Sequence, residues 1–494
     1  MTTHLRGCYK RTVTRSPRFL VLLCCAATAC GDTAATSAGS TTSASSATTA
    51  TTDASATDPT GTAPTTGASA TGTGTATGTT GTTEVAPTTT AVTATTGTTG
   101  TTGSTGGTTT GTTTDTTTDT TTGTSTDTST GTGTTGGCPD IGGDIEFSYI
   151  WIANSPEGTV SKIDTQTLQE VGRYRVRPQG GGEPSRTSVN LKGDVVIGSR
   201  IGGVTKIWAR PADCKESNGV PGIQTSKGKN DVLAWGQEEC VAWYTDYNFT
   251  SERAVAWTTG TLNPQTCEYD DPKVWIGATS DSQTLRVFRL HGDDGSMDGM
   301  VDIPGTVGYM SRSPYGAAVD ANNEVWMVNA YCGGTLVHIH EDYMYETFNV
   351  PPEVCPYGIA VDSKGYIWIG GYQQYTGRYD PIAAKWDLVA AQGLGIQEDA
   401  KGKLWLGAYG QNGVYEIDGD SLAVLSYTAV PTTGQSKGIS IDFYGYVWIV
   451  SDAGTTAVRM DPLTKAIQTY AGLNDPYSYS DMTGWGLQNA VIPQ

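Results

Sequence analysis

The chain has 494 residues and a formal charge of −19, from 49 acidic and 30 basic side chains. A surface this acidic repels phosphate backbones and anionic headgroups, which excludes nucleic acid as a partner and leaves a membrane reachable only through an anchor. Composition also divides the chain into a basic and then apolar leader, a stretch of nearly pure Thr, Gly, Ala and Ser, and a region of mixed composition from Cys138 to Gln494 that is long enough to bury a large core.

Residues 1–29 read as an export signal. Arg6, Lys10, Arg11, Arg15 and Arg18 precede the apolar run Phe19–Ala27, which is too short to span a bilayer. Ala27-Thr28-Ala29-Cys30 resembles a bacterial lipobox, so lipidation of Cys30 is expected. Cleavage after Ala29 by an ordinary signal peptidase is the alternative. Gly31 resembles the residue that sends such lipoproteins to an outer membrane. Residues 30–137 are predicted to be a disordered Thr/Gly-rich linker with an r.m.s. span of about 55–60 Å. Together these segments describe an exported head held away from the cell envelope. Whether the head faces the periplasm or the outside stays open.

Residues 138–494 carry a repeat. Pro356–Gly370 (PYGIAVDSKGYIWIG) reads as two short strands around a tight turn. The phrase returns at Pro314–Val328, Gly393–Gly407 and Ser436–Val450. A hairpin recurring about every 40 residues marks a propeller or solenoid. Seven second strands can be anchored on Trp151, Val196, Trp275, Trp326, Trp368, Trp405 and Trp448. Third strands such as Thr335–His340 and Gly413–Asp418 follow, then fourth strands such as Glu346–Val350. The sequence therefore predicts an all-β, seven-bladed β-propeller with four-stranded blades. Residues 211–250 read as an insertion on one face, with a degenerate blade around Val232–Tyr244 as the alternative. The first blade lacks an inner strand. Thr483-Gly484-Trp485-Gly486-Leu487 is expected to supply it and close the ring.

Six cysteines in an exported head suggest disulfides. Cys332 follows a second strand and Cys355 precedes the next first strand. Both loops open on one face, so this pair is expected to bond. Cys214 with Cys240, within the insertion, is a second expected pair.

First-strand starts and second-strand ends share one face of a propeller. Tyr315, Tyr331, Tyr357, Tyr372 and Tyr409 occupy those places, so they are expected to line the channel mouth, with Trp485 from the tail. Tyr offers a flat apolar ring with a polar tip, suited to a small molecule, a glycan or a peptide. Inner strands should be small and apolar, yet Gln397 and Glu398 replace Ala and Val, and Arg186 replaces Gly. Such departures mark candidate ligand-binding residues. His338 and His340 alternate along a strand and so share a face, but the sequence offers them no third ligand. They read as solvated strand histidines, and no metal is expected there. Asp293–Gly299 lacks the spacing of a calcium loop and reads as a polar turn.

The phrase P-Y-G-I-x-x-D-x-x-G-x-[IV]-W-[IV], closed by the tail, resembles the virginiamycin B lyase (streptogramin lyase) family of propellers. The resemblance implies the propeller fold and a metal-assisted C–O elimination using His and Glu at the channel mouth, with Mg as its metal. The histidines here are His4, His291, His338 and His340, none at a mouth position, so no catalytic residue carries over. Glu398 is the one candidate acid or base. The reading is a monomeric surface binding module with a Tyr-rich mouth and no cofactor. A lyase-like enzyme using Mg and a structural envelope protein are the alternatives.

Overall fold

The computed structural model describes residues 148–279, 284–305 and 314–491. The expected leader, the Cys30 lipobox and the linker over 30–137 lie outside them. Six four-stranded antiparallel sheets and one three-stranded sheet follow one another along the chain. They are the seven blades of a β-propeller. Blade 1 holds Tyr149–Asn154, Thr159–Asp164 and Glu170–Arg175. The inner strands of blades 2 to 7 are Pro184–Val189, Thr250–Trp257, Gly316–Val319, Pro356–Val361, Gly393–Glu398 and Ser436–Ile441. Each pairs with a second strand bearing the anchor expected from sequence, from Val196 in blade 2 to Trp448 in blade 7.

The spacing of Asp and Trp in the repeat has a local cause. In blade 5, Asp362 Oδ1 accepts the turn N–H groups of Lys364 at 3.0 Å and Tyr366 at 2.8 Å. Its Oδ2 accepts the indole N–H of Trp368 at 2.8 Å. One carboxylate thus closes the hairpin turn and satisfies the buried anchor. Asp320–Trp326, Asp399–Trp405 and Asp442–Trp448 repeat the latch at 3.0, 2.9 and 2.8 Å. The turn needs a left-handed residue, which is Gly365 at φ 82° in blade 5 and Asn323 at φ 61° in blade 4. Blade 2 shows the logic by subtraction. Asn190 still closes its turn, but Val196 offers no indole and the second carboxylate oxygen is dispensable.

Blade 2 also corrects the insertion. Val241–Thr245 is its fourth strand, paired with Val204–Ile207. The insertion therefore spans 208–240, inside one blade, and no extra blade forms around 232–244. Cys214–Cys240 closes it. The buried Glu239 carboxylate organises it by accepting N–H groups of Ser217, Asn218 and Gln224 at 2.6, 3.0 and 2.8 Å. Cys332–Cys355 also forms, tying blade 4 to blade 5. Disulfides of this kind persist in oxidising compartments. No helix among the described residues is long and apolar enough to cross a membrane.

The tail closes the ring one segment earlier than expected. Residues 476–482, not 483–487, run beside the first strand of blade 1. Trp151 N–H donates to Met482 O at 2.9 Å, Ala153 N–H to Ser478 Oγ at 2.8 Å, and Tyr477 N–H to Ala153 O at 3.0 Å. Trp485–Val491 is a helix. The extended segment ends where Asp481 caps the turn that follows, accepting Gly484 N–H at 2.9 Å and Leu487 N–H at 3.1 Å. Gly484 then takes φ 91° and redirects the chain. The helix packs across inner strands of blades 4 to 7. Leu487, with small residues such as Ala256, Ala317 and Ala360, bounds a central cavity of about 40 Å³, room for no more than a water or two.

Candidate functional site

The helix plugs one end of the channel, and the tyrosines gather at the other. Tyr315 and Tyr357 begin the inner segments of blades 4 and 5, while Tyr372 and Tyr409 end second strands. The closing segment 476–482 adds Tyr477 and Tyr479. Tyr315, Tyr357 and Tyr479 are buried, and Tyr372, Tyr409 and Tyr477 pack on them half-exposed. Rings of Tyr315 and Tyr357 meet edge to face with centroids 4.8 Å apart, and Tyr479 lies 4.8 Å from Tyr357. The Tyr477 hydroxyl reaches both neighbours, at 3.0 Å from Tyr315 Oη and 2.9 Å from Tyr357 Oη. The Tyr372 and Tyr409 rings stand 6.0 Å apart at the rim. Tyr331 is half-exposed beside Cys332 and lies outside this aromatic cluster.

Four cations converge on these rings. Arg186 stacks on Tyr479 and lies 4.7 Å from the Tyr315 ring. Arg253 lies 4.4 Å from the Tyr315 ring as well. Arg200 and Lys437 flank the Tyr477 ring at 4.2 and 4.3 Å. Arg186 is fully buried and donates Nε–H to the Tyr315 carbonyl at 2.6 Å. Both its terminal nitrogens lack a hydrogen-bond partner among the described residues. Burial weighs against its charge, and Arg253 adds repulsion. Burial pushes the Tyr315 phenol up to about 12. At Tyr477, burial acts in the same direction, but Lys437, hydrogen bonds from Tyr315 and Tyr357, and Arg200 outweigh it and bring the phenol down to about 7. In an acidic protein, this mouth is a local place where negative charge is stabilised.

The other predicted site residues sit at the opposite end. Trp485 does not join the mouth. It belongs to the C-terminal helix, and its indole N–H donates to Glu398 O at 2.8 Å. Glu398 Oε2 accepts Ser363 N–H and Asn489 Nδ2–H, each at 2.6 Å. Gln397 accepts Ile441 N–H at 2.5 Å and lies 3.4 Å from Asp481. These departures from the small inner-strand pattern bind the plug to its ring. Glu398 and Arg186 lie at opposite ends of their inner strands and do not meet. Of Asp293–Gly299, Asp293–Ser296 lie in a hairpin turn in which Asp294 accepts from Ser296 N and Oγ at 2.8 and 2.6 Å, while Met297–Gly299 already begin the fourth strand of blade 3.

Sequence reasoning missed Arg200, Arg253, Lys437, Tyr477 and Tyr479. Arg253 and Lys437 lie in inner strands beside the same small-residue pattern that exposed Arg186, a signal that was there to be read. Tyr477 and Tyr479 gave none, because the closing segment was placed too late in the chain.

No protein-family profile matches the chain, and no curated protein matches it in sequence. Similar solved structures share the propeller fold. Virginiamycin B lyase from Staphylococcus aureus matches at 16% identity and TM-score 0.42, covering 58% of this chain and 84% of its own. A streptogramin B lyase matches at 14% identity and TM-score 0.44, covering 62% and 89%. A functionally unknown protein from Desulfotomaculum acetoxidans matches at 11% identity and TM-score 0.48, covering 66% and 96%.

Proposed function

We propose that the propeller head is a binding module whose Tyr-lined mouth takes a ligand bearing an anionic group, and that the head is exported, lipid-anchored at Cys30 and carried on the 30–137 linker. The observation that carries the binding reading is the convergence of Arg186, Arg253, Arg200 and Lys437 on Tyr315, Tyr477 and Tyr479. Exposed edges of Tyr372, Tyr409 and Tyr477 offer apolar faces for a sugar or flat ring. The cations beneath and beside them draw a carboxylate or similar oxyanion into a partly desolvated place, where the attraction is stronger than in water. An elimination enzyme using Glu398 and Mg fits less well, since Glu398 is committed to the helix at the plugged end.

The test uses matched ligands that differ by a carboxylate in place of a hydroxymethyl group, galacturonate against galactose, in a thermal-shift assay. The anionic member should raise the melting temperature of the wild type and lose that effect in Arg200→Gln with Lys437→Gln. Equal shifts from both members, or retained shifts in the double variant, would remove the mouth as the binding site.

A further inference from the structure

Blade 4 carries a combination of residues at three neighbouring positions that no sister blade repeats. The third-strand residue facing the anchor is a cation in five blades (Lys162, Lys206, Arg289, Arg378 and Arg459) and Glu416 in blade 6. In blade 4 it is His338, facing Trp326. Two residues further on, four blades place Asp164, Asp380, Asp418 and Asp461, while blade 3 has His291 and blade 4 has His340. Two residues before the anchor, five blades carry Tyr or Lys, whereas blade 4 has Glu324. The register that pairs Val325 with Ile339 and Trp326 with His338 sets Glu324 beside His340 on the same sheet face.

The side chains meet there. Glu324 Oε1 lies 2.8 Å from His340 Nδ1, and Glu324 Oε2 lies 3.0 Å from His338 Nε2. One ligating atom from each of the three lies within 4.8 Å of the others. His338 is only 8% exposed. Its ring stacks on Trp326 with centroids 3.9 Å apart and planes 7° from parallel, which fixes its direction. Asp320 Oδ2 is 3.6 Å from the same nitrogen but is already engaged by the Trp326 indole. His338 Nε2 makes no aligned hydrogen bond among the described residues. The nitrogen thus faces two carboxylates at 3.0 and 3.6 Å, an electron-rich place that a cation would complete.

We propose that Glu324, His338 and His340 form a divalent transition-metal site on blade 4, at the turn end of the propeller and apart from the Tyr mouth. A zinc ion at about 2.0–2.2 Å from two imidazoles and a carboxylate needs ligand atoms roughly 3–3.5 Å apart, and Glu324 already lies 3.0 and 2.8 Å from the two imidazole nitrogens. Two nitrogen ligands favour zinc-like ions over calcium or magnesium, which take oxygen. Three protein ligands leave a coordination position open, and the partly exposed His340 and Glu324 give it access to solvent. Trp326 stacking and the Asp320 latch hold the first ligand in place from behind.

The test is zinc binding by the purified full chain after chelator treatment, followed by calorimetry and metal analysis. Wild type should bind one zinc at this site. His340→Ala and Glu324→Gln, both at partly exposed positions, should each weaken it by at least about tenfold, while His291→Ala leaves it intact. Bound Co²⁺ should show the visible bands of nitrogen coordination in wild type, and these should vanish in His340→Ala. Binding that is absent in wild type, or equal in wild type and both site variants, overturns the proposal. Circular dichroism of each variant separates lost binding from lost folding.

Discussion

Replacing Asp442 by Asn separates two roles of one buried carboxylate. Asp442 is 0% exposed, accepts Tyr444 and Tyr446 N–H at 2.9 and 3.0 Å, and accepts the Trp448 indole at 2.8 Å. Burial raises its pKa from 3.8 to about 6, against the opposing pull of those hydrogen bonds and Arg459. The unfolded chain releases this proton near pH 4, while the folded protein keeps it until about pH 6, so stability is fully present at low pH and is lost as pH rises through the folded value. A shift of about two units amounts to about 3 kcal/mol in all, of which about half falls between about pH 5 and about pH 8. Asn keeps the turn acceptor, removes the charge, and turns an N–H donor toward the indole N–H, at a cost of about 1–3 kcal/mol. Asp442→Asn should therefore be clearly destabilised near pH 5, and the difference from wild type should shrink by about 1.5 kcal/mol near pH 8. Urea denaturation of both proteins at several pH values, followed by near-UV circular dichroism, measures this. A difference that stays constant with pH would show that the buried charge is not what the latch contends with.

The same sign applies to Glu252, whose carboxylate burial lifts to about 7. Glu252→Gln should flatten the fall in stability between about pH 4.5 and about pH 7, read as a melting temperature. Tyr477 should give a phenolate absorbance step near pH 7, absent in Tyr477→Phe and displaced upward in Lys437→Gln. Removing Cys332–Cys355, which closes a loop with a sequence separation of 23, should cost about 3 kcal/mol in urea unfolding on the chain-entropy account. Truncation before Pro476 removes the segment that completes blade 1, so hydrogen exchange at Tyr149–Asn154 should lose its protection first.

Local chemistry that repeats is legible in sequence. The Asp and Trp of four hairpins serve contacts six residues apart, so four copies announced blades 4 to 7, and the anchors Trp151, Val196 and Trp275 ahead of them extended the count to seven. Cys332–Cys355 could be read because loop order around a propeller fixes which loops share a face, and Cys214–Cys240 because both fall within one insertion. The tail could not. Whether residues after 475 continue as strand or turn into helix depends on Asp481 capping and on the ring that Leu487 and Trp485 fill, and neither is local to the chain. The same holds for Gln397 and Glu398, whose polarity marked them as unusual but whose partners come from the helix.

By itself the sequence determined a closed array of hairpins with aromatic residues at one rim, because strand alternation and turn chemistry act between near neighbours. Tertiary structure alone decided which charges meet. It brought Arg253, Arg200 and Lys437 from separate blades onto Tyr residues of blade 4 and the tail, and it carried Glu324 across a hairpin to His338 and His340. The first joins residues far apart in the chain, where no spacing rule reaches, and the second depends on the register between two neighbouring strands.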